Sequence, residues 1–313
     1  MPNKILILLA TYNGAPHLPA QLDSLLSQTR SQWRLLVHDD GSTDETLTIL
    51  KQYRDRYPDR ITLLEDGIVC GGASANFAHL LSKADAEYLM FCDQDDVWHP
   101  DKIEKTLQTM KEMEAKYPGE PVLVHTDLEV TDEKLRVLDE SFWHYGYIDP
   151  HRDSFNRLLM QNVVTGCTVM INRKLASLAL PIPEDAVMHD WWIGLVASRF
   201  GKIGIVEEAT VKYRQHGGNS IGAKGYNALS ALLKFYKAFT GNELYLKHLR
   251  MNIGQAEAFL RRYREELDEK SVAMLKAFID IESAPFWQRR WILLKYGLLK
   301  QGILRNLGLF LKI

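Results

Sequence analysis

Through the first half of the chain, short apolar runs alternate with segments in which apolar residues recur every three or four positions. Residues 5–9, 35–38, 61–64, 88–92 and 122–125 are apolar enough for buried strands. Between them Leu18, Leu22, Leu25 and Leu26 fall on one helical face, as do Ile103, Leu107 and Met110. Ser42 and Glu45 have capping-box spacing, which predicts a second helix starting there. Strands alternating with helices require right-handed crossovers and a mostly parallel sheet, so the fold class is α/β. Residues 166–171 and 203–206 predict further strands, and 190–199 a helix. From 226 to about 301 the pattern is helical only. The expected organisation is an α/β domain over residues 1–222 and a helical C-terminal extension over 223–313.

Composition narrows the class. The 313 residues are 46% hydrophobic and 25% charged, the balance of a globular protein with a full core. A net charge of −2 argues against a dedicated nucleic-acid binder. Cys70, Cys92 and Cys167 form no CxxC pair, so neither a disulfide framework nor a thiolate zinc site is indicated, and a reducing cytoplasm fits. No export signal and no membrane-spanning run of about 18 apolar residues is expected.

Polar clusters fall where the strands end, which is where open α/β sheets bind ligands. Thr11-Tyr12-Asn13 follows the first strand, Asp39-Asp40 the second and Asp93-Gln94-Asp95-Asp96 the fourth. Carboxylates at i and i+2 on extended backbone project the same way, so Asp93 and Asp95 can converge on one object. Three acids in four residues repel one another unless a cation or donor sits among them. Hard oxygen ligands with positions left for phosphate suit Mg²⁺ or Mn²⁺ on a diphosphate. A solvated acidic turn ahead of the helix near Pro100 is the competing reading; the preceding apolar strand and Trp98 favour a site. Asp39-Asp40-Gly41-Ser42 reads first as ordinary turn chemistry before a capped helix, with a carboxylate placed for a nucleobase or ribose as the alternative.

In this order and at these separations, Ala10-Thr11-Tyr12-Asn13-Gly14, Asp39-Asp40-Gly41-Ser42-Thr43-Asp44 and Asp93-Gln94-Asp95-Asp96-Val97-Trp98 resemble the family 2 glycosyltransferases of the GT-A fold. The last motif resembles their rhamnosyltransferase-like branch. Asn76-Phe77, His125-Thr126-Asp127, Thr165-Gly166-Cys167, His189-Asp190-Trp191 and Tyr213-Arg214-Gln215-His216 extend the match over residues 4–220. The resemblance implies an inverting transferase, and more narrowly an α-1,3-L-rhamnosyltransferase of bacterial cell-wall polysaccharide assembly, using dTDP-β-L-rhamnose and a lipid-linked, rhamnose-containing acceptor. Its cofactor would be Mg²⁺ or Mn²⁺. Tyr12 and Asp40 would hold the nucleobase, with Thr11 and Asp39 nearby. Asp93 would contact ribose or metal, Asp95 would be the principal metal ligand, and His216 would close over the metal and diphosphate. Asp190 matches the catalytic base. Asp127 is a candidate for orienting an acceptor hydroxyl, and Trp191 for an apolar platform under a sugar ring. Cys70 departs from the pattern, since relatives often carry Asn there. Two alternatives stay open: a UDP-hexose transferase of the same fold, and a non-catalytic nucleotide-sugar-binding scaffold subunit.

Charge is uneven along the chain. Residues 283–313 hold six Lys and Arg and no acid, while the preceding 282 carry a net −8. Phe286, Trp287, Trp291, Leu294 and Leu298 lie on or near one helical face, interleaved with Arg289, Arg290, Lys295 and Lys300. Such a helix suits an anionic bilayer, which would hold the protein peripherally on the inner face of the cell membrane. Packing against its own domain, or against the partner in a homodimer, is the alternative.

Overall fold

The computed structural model describes residues 5–217 and 243–313. In chain order the elements are β1 (Ile5–Thr11), α1 (Leu18–Leu26), β2 (Trp33–Asp39), α2 (Thr46–Arg56), β3 (Ile61–Leu63), α3 (Ala73–Lys83), β4 (Tyr88–Cys92), β5 (Val97–Trp98), α4 (Lys102–Lys116), β6 (Val122–Thr131), β7 (Val137–Asp139), α5 (Phe142–Gly146), α6 (Phe155–Leu158), β8 (Met170–Asn172), α7 (Arg173–Ala179), α8 (His189–Phe200) and β9 (Lys202–Arg214). A helical segment follows: α9 (Glu243–Arg262), α10 (Glu269–Ile279), α11 (Phe286–Tyr296) and α12 (Ile303–Lys312).

The strands form one sheet in the order β3-β2-β1-β4-β8-β6-β9-β5, with β7 on β6. β3, β2, β1 and β4 are mutually parallel, β8 runs against both its neighbours, and β6 and β9 are parallel to each other. The five N-terminal strand predictions hold. Residues 166–171 do not form one strand: Gly166–Thr168 is a turn of 3₁₀ helix, and only Met170–Asn172 pairs.

β1 shows why the sheet is central. Ile5, Ile7 and Leu9 face a core built with α1, α2 and α4, whereas Leu6, Leu8 and Ala10 face one built with α3 and α8. Both faces are covered, so the strand is apolar throughout instead of alternating. The second core continues into the helical segment. Phe259 of α9 and Tyr263 just after it pack on Trp192 and Phe200 of α8, and Leu293, Leu298 and Leu309 join the same cluster. The expected boundary at 222/223 lies outside the described residues.

The expected capping box does not form. Helix α2 begins at Thr46, and its first turn is held by Asp44, whose Oδ1 accepts from the Thr46 N–H at 3.0 Å. Ser42 is occupied instead at the carboxyl end of the sheet: its hydroxyl donates to Asp39 at 2.6 Å and accepts from the Asn13 N–H at 2.8 Å.

Candidate active site

The carboxyl ends of β1, β2 and β4 lie side by side, because these strands are adjacent and parallel. Thr11 and Asp39 meet there, the Thr11 hydroxyl donating to Asp39 Oδ1 at 2.9 Å. Tyr12 leaves its ring 57% exposed while its backbone is clamped: Gln94 Oε1 accepts from the Tyr12 N–H at 2.8 Å, and Gln94 Nε2 donates to the Tyr12 carbonyl at 2.9 Å. This pair of hydrogen bonds locks the β1 end to the acidic loop. A Cβ at position 14 would stand 2.2 Å from Gln94 Oε1, so any residue but glycine there displaces the Gln94 amide from this clamp.

Asp40 is buried and turned into the protein. Its carboxylate accepts from the backbone N–H groups of Cys70, Gly71 (3.1 Å) and Gly72 (2.8 Å). Its direct role in the structure is therefore to shape the 70–72 loop.

In the acidic loop, burial first and then the charges of Asp95 and Asp190 push the Asp93 carboxyl upward. Burial and the Asp95 and Asp93 charges raise fully buried Asp96 as well. The Cys167 thiol lies against both; Asp93, Asp96 and Cys167 bring one ligand atom each within 4.8 Å of one another. Asp95 Oδ2 is 2.8 Å from His216 Nε2. Repulsion among convergent carboxylates is relieved by a cation, and oxygen donors fit Mg²⁺ or Mn²⁺. The oxygen donors present at this loop fit such an ion.

Two further residues complete this part of the site, and sequence reasoning gave neither of them a role. Arg214, at the end of β9, donates from Nε to the Asp95 carbonyl at 2.8 Å and from its backbone N–H to Asp96 Oδ1 at 3.3 Å. It places positive charge under the loop and delivers His216 to it. His17 lies against His216 with the rings tilted and their centroids 4.7 Å apart, its pKa lowered by burial and then by Arg214 and His216. Contacts between positions so far apart in sequence leave no local pattern.

Asp190 sits in the first turn of α8, half-buried. Its Oδ2 accepts from the Gly166 N–H at 3.0 Å and from Asn162 Nδ2 at 3.4 Å, and its Oδ1 from the Trp191 N–H at 2.7 Å. Burial raises its pKa to about 6, against the lowering effect of those bonds. Its neighbour His189 is buried against Phe77, the rings tilted with centroids 4.3 Å apart, and burial brings its pKa down to about 3, so it is neutral. Asp190 is close enough to Asp93 for its charge to raise that carboxyl. The structure thus gathers Asp93, Asp95, Asp190 and His216, with Tyr12, Thr11 and Asp39 alongside.

Asp127 is not presented as an open acceptor group. It is 4% exposed, and its carboxylate is taken up by the Leu128 N–H (2.8 Å), the Trp143 N–H (3.2 Å) and the Ser141 hydroxyl (2.5 Å). It organises the start of α5. Trp191 is half-buried, with its indole N–H donated to the Leu158 carbonyl at 2.6 Å; Trp192 is fully buried in the core.

A sheet with nucleotide-type polar ends, an acidic loop at the fourth strand and a carboxylate across from it define a glycosyltransferase of the GT-A class. The model for Glycosyl transferase family 2 matches residues 6–176, and the chain belongs to that family. It is 27% identical over 219 residues to the dTDP-rhamnosyl transferase RfbG of Shigella flexneri, covering 69% of this chain and 74% of that one. The putative teichuronic acid biosynthesis glycosyltransferase TuaG of Bacillus subtilis is 28% identical over 213 residues, covering 66% and 77%. Among solved structures, S. aureus TarS 1-349 in complex with UDP-GlcNAc superposes with TM-score 0.58 at 15% identity, covering 94% of this chain and 80% of that one. The mannosyltransferase PcManGT of Pyrobaculum calidifontis, in complex with GDP-Man and Mn²⁺, gives 0.53 at 15% identity, covering 98% and 78%. At such identities these two share the fold.

Proposed function

We propose that the protein is an inverting, divalent-metal-dependent L-rhamnosyltransferase that moves rhamnose from dTDP-β-L-rhamnose to a lipid-linked, rhamnose-containing acceptor in bacterial cell-wall polysaccharide assembly. The observation that carries this reading is Asp190, a half-buried carboxylate with a raised pKa, held by two backbone N–H groups beside the Asp93–Asp95 pair. The similarity to RfbG supports the donor sugar.

An acceptor hydroxyl lying between Asp190 and the donor gives its proton to the carboxylate. Its oxygen forms a bond to the anomeric carbon as the bond from that carbon to the diphosphate breaks, and the electron pair leaves on the diphosphate oxygen. Attack opposite the leaving group turns a β-linked donor into an α-linked product. Asp93, Asp95 and His216 would hold Mg²⁺ or Mn²⁺, which would supply charge neutralisation for the departing diphosphate. The exposed Tyr12 ring stacks on the nucleobase, and Thr11 with Asp39 lies at the ribose side. Asp40 acts on the base through the loop it holds, and the Trp191 ring lies on the acceptor side.

The same reading seats the enzyme against an anionic bilayer. Trp287, Trp291 and Leu294 on α11, and Ile303, Leu307 and Leu311 on α12, are exposed at helical spacing, with Trp287 and Ile303 each 79% exposed. Arg290 lies over Phe286, and Lys295 lies 4.4 Å over Trp291. An exposed apolar face within a stretch that has cations and no acids complements acidic lipid. Among the described residues no helix is long and apolar enough to cross a membrane.

The test is incubation of purified protein with dTDP-rhamnose, UDP-glucose, UDP-GlcNAc or GDP-mannose and a synthetic lipid-linked rhamnoside, with product linkage read by NMR. An α-1,3-linked rhamnose from dTDP-rhamnose alone is expected. Preference for a UDP-hexose would replace the donor assignment. Donor binding without product from any donor would favour a scaffold.

A further inference from the structure

The end of β2, the loop before α3 and α3 itself bring together three side chains that the transfer reaction does not use. His38, Asp66 and His79 each place one ligand atom within 4.8 Å of the others. The Asp66 carboxylate spans the rings, with Oδ2 2.7 Å from His79 Nε2 and Oδ1 3.5 Å from His38 Nε2. The rings meet edge-on with centroids 4.8 Å apart. His38 is buried, while the side chains of Asp66 and His79 keep 24% and 14% exposure, so the cluster is reachable from solvent.

The tautomer of His38 is fixed from behind. The Asn76 amide nitrogen faces two carbonyl oxygens, that of His38 at 3.3 Å and that of Thr11 at 3.5 Å. The Asn76 oxygen is therefore the atom 2.7 Å from His38 Nδ1. An amide oxygen only accepts, so Nδ1 carries the proton and Nε2 of the neutral ring is a lone pair. That lone pair is aimed at a carboxylate oxygen. Two acceptors held face to face call for a positive centre between them.

We infer that His38, Asp66 and His79 form a binding site for a borderline divalent cation of the Zn²⁺ class, separate from the oxygen-rich loop at Asp93–Asp95. Two imidazoles and a carboxylate make a three-ligand set with a fourth position for water. Imidazole suits Zn²⁺, whereas Mg²⁺ prefers oxygen. The Asn76 contact is the outer hydrogen bond that a metal-ligating histidine makes through its other nitrogen, and it orients the ring. A cation here joins the start of the 66–72 loop to β2 and α3. The far end of that loop supplies the N–H groups that hold Asp40. The ion braces the loop at the nucleotide end of the site and takes no part in bond breaking.

The test is Zn²⁺ titration of the full chain, stripped with EDTA, followed by calorimetry and, with Co²⁺, by visible absorption. Wild type is compared with Asp95→Asn, His79→Ala and Asp66→Asn. Both residues changed at the cluster are partly exposed, and circular dichroism checks that the variants are folded. Wild type should bind one equivalent that Asp95→Asn keeps. In His79→Ala and Asp66→Asn its Kd should rise at least about 100-fold, the upper end of the loss for an outer-shell partner alone. Zn²⁺ should slow proteolysis within residues 66–72 in wild type and not in His79→Ala. Equal uptake by wild type and His79→Ala would overturn the assignment. So would the absence of any equivalent surviving in Asp95→Asn, which would mean that a proton fills the gap.

Discussion

Replacing Asp190 with Asn separates catalysis from folding, because the two effects have different origins in the structure. Removing a general base costs roughly 10²–10⁴ in rate, which is about 3–5 kcal/mol of barrier. Stability moves the other way. Asp190 is raised from 3.8 to about 6, so the folded chain holds this proton more tightly than the unfolded chain does. Its contribution is therefore most favourable below pH 3.8 and is lost as pH rises through 6, a cost of about 3 kcal/mol at neutral pH. Asn removes that cost. Against it, the Gly166 and Trp191 N–H groups donate to different oxygens, and an amide turns its own donor toward one of them. That mismatch costs about 1–3 kcal/mol. The two terms nearly cancel, so Asp190→Asn should melt within a few degrees of wild type and bind donor normally. Steady-state kinetics over pH 5–8 should show wild-type kcat/KM rising through about pH 6 and then level, with the limb absent in the variant. Turnover within tenfold of wild type in the folded variant, with the acid limb intact, would place the base elsewhere.

Asp95→Ala should abolish transfer, and EDTA should abolish wild-type transfer until Mg²⁺ or Mn²⁺ is returned; full activity in EDTA would remove the metal from the reaction. Gly14→Ala should break the Gln94–Tyr12 clamp, since its Cβ would meet Gln94 Oε1 at 2.2 Å. A loss of about 1–3 kcal/mol in denaturant unfolding, as for other overpacked positions, together with a raised donor KM is the expected outcome. The paired change Trp291→Glu and Leu307→Glu should abolish co-sedimentation with anionic vesicles while leaving activity on a short water-soluble acceptor unchanged, and wild-type binding should weaken with salt without vanishing, since apolar contact is not screened. Conversion of a dimer to a monomer by the same change would assign the face to a subunit interface.

What the sequence made legible is what neighbours along the chain determine. Asp93 and Asp95 stand out because a strand end gives them their direction, whereas Asp190 stands out only through the family resemblance. The tail shows the limit of that logic. Its apolar residues were expected on one face, and Phe286, Trp287, Trp291 and Leu294 are indeed exposed, but Leu298 is fully buried. Gly297 adopts φ +62, which turns the chain inward directly after α11. With Ile292, Leu293, Leu309 and Ile313 also buried, the tail is part of the core and cannot be cut away without opening it. Periodicity gives a helix two faces but does not say that one of them is already taken.

Two of the predicted acidic residues, Asp127 and Asp40, are occupied by partners brought in from elsewhere in the chain. Asp127 lies within β6 (Val122–Thr131), and the Trp143 N–H and the Ser141 hydroxyl occupy it from more than a dozen residues on. Asp40 follows β2 as expected, yet it is filled by N–H groups thirty residues later. A main-chain N–H is the same whatever side chain the residue carries. That explains the departure at Cys70: its contribution to Asp40 is its backbone N–H, so Cys in place of Asn leaves this contact unchanged. Gly71 and Gly72 are constrained by contrast, because φ of +79 and +154 bring their N–H groups onto the carboxylate and other residues rarely adopt such values. The loop therefore fixes its glycines and leaves position 70 free.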